Sequence, residues 1–467
     1  MSSTLPYSKK KTSRQMVALT LAVALGLPFG LLAALLVLLP LSQQPMVDAL
    51  IKRFVGQDAA AWPYTSLVYA GVLALVAFMV FNFGAIFGGM TTWYEMRIAG
   101  RIQSRIGPNR VGAAGFFQWV ADAAKLILKE DLVPTDADAI LFRAAPYFVL
   151  AGFVLTFVVL PFGESVVVAD LNVGLFYVTS ITALVVVGIM VAGWSSNSKW
   201  ALFGGVRSAA QVVSYEIPAG LALMVPVLMA GTLSMQEIIR QQGGWPWQWF
   251  LFRNPAAFVA FLILFTSQLA EGNRTPFDLP EADSELVAGY LSEYSGFRFA
   301  LYFLVEWGNL WVISAVGVTL FFGGWQIPGV GPELWQSLRG APTEIPDLAW
   351  WGLQALSMLV FLVKTLVLVN VIIWIRWTLP RIRVDQMMNL CWKYLVPAAF
   401  ACLVFTLGWQ LLVGATGGSG AGFMSVAETV SGVALFAIAC LLLFRFLVLT
   451  RKNIDAVVGD RIDLTNW

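Results

Sequence analysis

Ten predominantly apolar stretches succeed one another along the chain, at about 16–40, 65–92, 142–163, 172–193, 210–231, 254–271, 298–323, 352–378, 393–414 and 427–449. Each is near the length that crosses a hydrocarbon core roughly 30 Å thick as a helix of about 20 residues. The pattern predicts an all-α polytopic membrane protein of about ten transmembrane helices. The first stretch follows Lys9, Lys10, Lys11 and Arg14, but its apolar run is long and no small-residue cleavage site ends it, so it reads as a retained span. Basic residues alternate in density between successive loops. Arg97, Arg101, Arg105, Arg110, Lys125 and Lys129 follow the second span, Lys199 and Arg207 the fourth, Arg274 the sixth, and Arg376, Arg381, Arg383 and Lys393 the eighth. This excess predicts that both termini and all of these loops are cytoplasmic. In one such loop, residues 113–130 place Phe116, Phe117, Val120, Ala124, Ile127 and Leu128 near one helical face, with Asp122, Lys125 and Lys129 largely away from it. That spacing fits an amphipathic helix, lying on the membrane surface or against a partner subunit.

Composition agrees and narrows the chemistry. Of 467 residues, 59% are hydrophobic and only 12% charged, far from a soluble chain, and the net charge of +2 forms no basic patch for nucleic acid. There is no histidine, which removes the usual haem ligand, zinc ligand and neutral-pH proton shuttle. Cys391, Cys402 and Cys440 have no ligand-type spacing and are too few for a Cys₄ cluster. No metal site is therefore expected, and proton chemistry falls to carboxylates, tyrosines, lysines and water.

Ionisable residues within spans are costly and mark function by default. Glu216 lies in the fifth span, two residues before Pro218, whose missing N–H frees a carbonyl that water could solvate. Glu306 lies in the seventh span and Lys364 in the eighth, where the lysine could pair with one of the acids. Glu95 and Glu271 close the second and sixth spans, where snorkelling is the plain alternative. A structural ion pair is the corresponding alternative for Glu216 and Glu306. Between the sixth and seventh spans runs EGNRTPFDLPEADSELVAGYLSEYSGFR, carrying Glu271, Asp278, Glu281, Asp283, Glu285 and Glu293. A helix after Pro280 would project Glu281 and Glu285 from one face, repelling each other unless they share protons or meet a cation. Arg274 and Arg298 are the nearest candidates in sequence.

The loop motifs carry a resemblance. They are Arg105-Ile-Gly-Pro-Asn-Arg-Val-Gly112, Ala121-Asp-Ala-Ala-Lys125, Lys129-Glu-Asp131, Gly193-Trp-Ser-Ser-Asn-Ser-Lys199, Ser214-Tyr-Glu216, Arg274-Thr-Pro-Phe-Asp-Leu-Pro-Glu-Ala282 and Glu293-Tyr-Ser-Gly296, followed by Phe321-Phe-Gly-Gly-Trp-Gln326 and Leu379-Pro-Arg-Ile-Arg-Val-Asp-Gln386. In this order they resemble the quinone-chamber membrane subunit of respiratory NADH:quinone oxidoreductase (complex I), the one lettered H in bacteria, over about residues 65–414. The resemblance implies a core of eight helices over 65–414, with an extension and extra helix over 1–64 and a further helix and charged tail over 415–467. It implies residence in the cell inner membrane, no redox cofactor in this chain, a quinone (ubiquinone or menaquinone) as substrate, and FMN and an iron–sulfur cluster in partner subunits. Those partners would be peripheral iron–sulfur and quinone-site subunits and small membrane subunits, with lipid around the spans. Carried over, Glu95, Arg97, Arg105, Asp122, Arg274 and Phe277 would belong to the quinone chamber. Asp278, Glu281, Glu285 and Glu293 would line the loop beneath the headgroup, and Glu216, Glu271 and Glu306 would lead protons inward.

The chain departs from the pattern at Met96, where the family usually has a basic residue, and at Val384, where it often has tyrosine. The extra terminal helices are expected to pack on a partner or on lipid rather than take part in coupling. Two other readings stand beside this one. The corresponding subunit of a membrane-bound hydrogenase or other donor-driven complex would differ in its peripheral partners. An ion-coupled secondary transporter would need broken helices near the midplane, and none is evident.

Overall fold

A computed structural model of the chain describes residues 30–39, 47, 65–280, 283–330, 348–415, 429–442, 444–445 and 448–449. Among these the regular structure is helical throughout: α1 Gly30–Leu39, α2 Thr65–Ile102, α3 Gln118–Leu128, α4 Ala139–Thr156, α5 Gly174–Ser195, α6 Lys199–Ala230, α7 Met235–Gln241, α8 Pro255–Glu271, α9 Gly296–Phe321, α10 Leu348–Thr378, α11 Val384–Asn389, α12 Val396–Ala415 and α13 Thr429–Leu442. A π-helical turn, Leu390–Leu395, joins α11 to α12. Among the described residues seven helical stretches are long and apolar enough to cross a membrane, and α8, at 17 residues, is a further apolar helix just short of that length. α1 and α13 fall within the first and tenth predicted spans, whose remaining residues lie partly outside the described ones. Both turn one face to this chain's own core. Leu31, Leu35 and Leu39 of α1 are buried, and Phe436 of α13 meets Phe252 edge-on at 5.3 Å.

Local sequence sets the helix ends. Asp138 caps α4, its Oδ1 accepting from the Ile140 and Leu141 amides at 3.1 and 3.3 Å. Asn254 caps α8 in the same way, with Pro255 in the first turn, where a missing N–H costs nothing. α6 stops at Gly231, whose φ of 69° closes the last turn. The amphipathic stretch forms as expected, but α3 starts at Gln118. Phe116 therefore sits in the preceding turn, buried against Trp93 at 5.2 Å, and not on the exposed face with Val120, Ile127 and Leu128.

Prolines inside helices find compensation. Pro146 cannot donate to the Phe142 carbonyl one turn back, and the Tyr294 hydroxyl donates there instead at 3.1 Å, its ring stacked on Phe142. Pro218 likewise abandons the Ser214 carbonyl, which accepts from the Cys391 thiol at 3.1 Å. Small residues bring α4 and α5 together. A Cβ on Gly188 would stand 2.5 Å from a methyl of Val149, and one on Gly152 2.6 Å from a methyl of Val185.

Since successive spans alternate in direction, the motif loops share one end of the bundle, and contacts tie them together there. Asp138 N donates to Ser195 O, Arg298 pairs with Asp131 at 3.0 Å, and Ile382 N donates to Pro276 O at 3.1 Å. The opposite end is locked differently. Lys364 does not pair with an acid. Its ammonium donates to the carbonyls of Phe322, Gly324 and Gln326 at 2.9, 2.9 and 3.1 Å, beneath the face of Trp249. These carbonyls stand where α9 ends, and a cation is favourable at the negative end of a helix.

Candidate functional site

The acidic loop begins where α8 ends, and it folds back into the bundle. Asn273, Arg274, Phe277 and Leu279 are all buried. Its backbone is held by Gln211 of α6, whose amide donates to the carbonyls of Ala270 and Phe277, both at 2.7 Å, and to the side chain of Asn273 at 3.3 Å. One buried side chain thus satisfies several loop acceptors that water cannot reach. The Thr275–Pro276 bond is cis. Phe277 packs edge-on to Tyr215 at 5.4 Å, and Tyr215 in turn donates to Met387 O. Further on, Gly289 adopts φ 53°, and a Cβ there would lie 1.8 Å from Pro280 O. Only glycine admits that fold of the loop over α6, where Gly204 also leaves room.

Two groups of carboxylates result. In the first, Arg274, 1% exposed, pairs with Glu306 of α9 at 3.0 Å and donates to the Glu306 carbonyl at 2.9 Å. Glu95 of α2, also 1% exposed, pairs with Arg376 of α10 at 2.9 Å and accepts from the Trp377 indole at 3.1 Å. The Arg274 and Arg376 guanidiniums lie 4.5 and 5.3 Å from the same ring, that of Trp307. Asp278 pairs with Arg381 at 3.2 Å at the edge of this group. Burial pushes the Asp278 carboxyl above its usual range and the neighbouring Glu306 charge adds to this, while Arg381 and Arg274 hold it down.

The second group is uncompensated. Glu216 and Glu271 line the same two cavities, of about 190 and 50 Å³, between α5, α6, α8 and α9, the smaller also reaching α4, with Thr182 and Gln268 among the polar lining. Neither has a lysine or arginine partner among the described residues, and Glu216 Oε1 accepts no hydrogen bond from them. Such a space is polar and roomy enough for water. Gln211 beside Ala270 fixes the level of the loop, so Glu216, five residues on, stands about 7 Å deeper in the bundle.

The remaining predicted residues are dispersed. Glu285 is exposed and pairs at 2.6 Å with Arg207; Arg274 and Arg298 are engaged by Glu306 and Asp131, so the cations nearest in sequence are not its partners. Glu293 is half-buried, and Glu281 lies outside the described residues. Arg97 donates to Pro108 O at 3.3 Å, Arg105 is exposed beside Gln103, and Asp122 is bridged to Lys125 at 3.4 Å and to Gln118. Sequence reasoning gave no part in the site to Trp307, Trp377 or Gln211, and used Arg376 and Arg381 only to orient the spans. Arg376 carried a signal, being a cation among Trp374, Ile375 and Trp377 that must find an acid when those residues are packed.

Fold and site together define an all-α polytopic membrane protein in which buried carboxylates run inward from a folded acidic loop. The profile of the NADH dehydrogenase family matches residues 73–407, and the chain belongs to that family. It is 67% identical over 420 residues to the H subunit of the NADH-quinone oxidoreductase of Anaeromyxobacter dehalogenans, covering 89% of this chain and 98% of that protein. It is 45% identical to the H subunit of the Chlorobium luteolum enzyme, over 80% of this chain and 98% of that protein, and 42% identical to NADH-quinone oxidoreductase subunit 8 of Rhodothermus marinus, over 71% and 95%.

Proposed function

We propose that this chain is the membrane subunit of a proton-translocating NADH:quinone oxidoreductase that, with its neighbours, encloses the quinone headgroup and passes the consequence of quinone reduction into the membrane. The observation that carries this reading is the buried charge gathered behind the acidic loop, with Asp278, Arg274–Glu306 and Glu95–Arg376 in electrostatic reach of one another, beside a cavity shared by Glu216 and by Glu271, from which the loop leaves α8. The loop end of the bundle faces the cytoplasm, where the basic residues concentrate. Residues 65–414 form the working core, and the terminal helices are accessory.

Reducing a quinone to a quinol takes two electrons and two protons. By its likeness to the H subunits, this chain carries no redox centre of its own, and FMN and iron–sulfur clusters belong to extrinsic partner subunits seated on the loop end; the absence of histidine and the presence of only three cysteines accord with that. The chain's own residues handle charge. Asp278, held partly towards its protonated form by burial, stands in the loop nearest the partners, with Glu293 further along it, and offers a proton as negative charge develops on the quinone. Loss of a proton from the loop alters the field on the Arg274–Glu306 pair, which lies within electrostatic reach of Asp278. Glu271 and Glu216, lacking cations, take up or release protons through the cavity between them in response. Glu285, Arg97, Arg105 and Asp122 sit on the surface that meets the extrinsic subunits.

The test is Glu216→Gln and Asp278→Asn in the assembled complex. Each lowers quinone reduction or proton pumping by on the order of tenfold or more. Native rates of both in a fully assembled variant would overturn the assignment.

A further inference from the structure

We infer that Trp307 is a positioning residue that makes the Glu95–Arg376 and Arg274–Glu306 pairs one electrostatic unit, by holding both guanidiniums against a single indole. The inference rests on the charge route just described. The pairs come from four separate parts of the chain, α2, α10, the acidic loop and α9. Charge already reaches from one to the other, since Arg274 lies within electrostatic range of Glu95. What fixes that proximity is the ring they share, 4.5 Å from the Arg274 guanidinium and 5.3 Å from that of Arg376.

Two buried cations brought near each other repel. The negative face of an indole attracts both guanidiniums, so it can hold them in a proximity that an aliphatic side chain could not stabilise. Trp307 is itself buried, and its indole nitrogen makes no hydrogen bond to the described residues. A buried tryptophan ordinarily finds an N–H partner. Here the ring is placed by the arginines that it faces and by the apolar cluster of Leu310, Leu269 and Ile372 around it, with no hydrogen bond to hold it elsewhere. Trp307 also adjoins Glu306 in sequence, so a shift of either pair moves the residue that anchors the other. A change of charge at Glu95, at the edge of the chamber, is thereby felt at Glu306 on the inward route.

A double-mutant cycle on the intact membrane complex tests this. Glu95→Gln and Glu306→Gln are made singly and together, in the native background, in Trp307→Leu and in Trp307→Phe, and quinone reductase rates are normalised to assembled complex. In the native background the combined rate departs from the product of the single effects by roughly tenfold. Trp307→Leu abolishes the departure, and Trp307→Phe, which keeps a ring face, retains most of it. A merely structural tryptophan, or pairs that couple without the ring, would leave the departure intact in the Leu background, and that result overturns the inference. So does strict independence of the two acids in the native background. Should the Leu variant fail to assemble, the Phe and native cycles still decide, because a departure lost in Phe shows that the aromatic face does not carry it. If neither Glu95→Gln nor Glu306→Gln alters the rate, the charge route itself has failed, an outcome distinct from failure of the Trp307 link.

Discussion

Removing Arg274 isolates the largest single electrostatic commitment in the loop. At the observed 3.0 Å to Glu306, an effective dielectric of about 20 gives an attraction of about 5 kcal/mol. This offsets the several kcal/mol that burial charges against each ion. Arg274→Met keeps most of the side-chain volume and deletes the cation, leaving the Glu306 carboxylate without its partner and the Glu306 carbonyl without its donor. Breaking a buried pair in this way destabilises by about 3–5 kcal/mol. The loop also loses the Trp307 contact that holds its first turn to α9. The assay is the amount of assembled complex on native gels and the midpoint of thermal inactivation of its quinone reductase. Arg274→Met lowers both. Adding Glu306→Gln removes the stranded charge and recovers on the order of 2 kcal/mol, so the double variant assembles better than the single one. Native stability of the single variant, or a double variant no better than it, refutes the reasoning, because either result means the pair is solvated or interchangeable with water.

Three further outcomes are expected. Gly289→Ala, which combines a left-handed backbone with a Cβ 1.8 Å from Pro280 O, costs on the order of 3 kcal/mol and shows as reduced assembly, whereas Gly220→Ala, with open space around it, does not. Lys364→Met strips three carbonyls of their donor and costs about 2–4 kcal/mol in thermal stability, yet leaves quinone reduction per assembled complex near native, since that lysine serves the opposite end. The native state binds the Asp278 proton more tightly than the unfolded chain does, so its ionisation destabilises the loop. This cost is absent below the ordinary aspartate pKa of about 3.9 and complete above the raised native value. Amide-exchange protection of residues 273–280 therefore falls as pH rises through that window, and Asp278→Asn, which cannot ionise, removes the fall.

The helices were legible because a membrane span is written locally, as about 20 apolar residues bounded by charges or prolines. α8 was placed almost to the residue for that reason, between Asn254–Pro255 and Glu271. The same local signal understated α2 and α6, which run on past the apolar stretch to Ile102 and back to Lys199, carrying their charged ends as helix. Acids within spans were legible as well, since few other features explain Glu216 or Glu306. Partnership was not. Glu285 lies 11 residues from Arg274 but pairs with Arg207, 78 residues away, because the loop crosses the start of α6 through Gly204 and Gly289. Pairing of Lys364 with an acid stood open in the sequence, whereas its stem directs it to the carbonyls at the end of α9. Pairing of this kind depends on which helices touch and at what height, and a charged residue's type carries no record of either.

The division between compensated and uncompensated carboxylates bears on the mechanism proposed above. A buried ion pair is weak support for stability, since an apolar substitute of the same shape often does as well or better. Three helices and a loop nevertheless converge to keep Glu95 and Glu306 paired, while Glu216 and Glu271 are left facing the cavity without a cation. A carboxylate locked to a guanidinium answers a neighbouring charge through that pair, whereas one that borders a cavity without a counter-ion is open to exchange with whatever fills the cavity. The first suits transmission and the second suits uptake. In the mechanism proposed above, the two kinds of carboxylate together would let an electron-transfer event outside the membrane move a proton within it, without any group having to travel between the two.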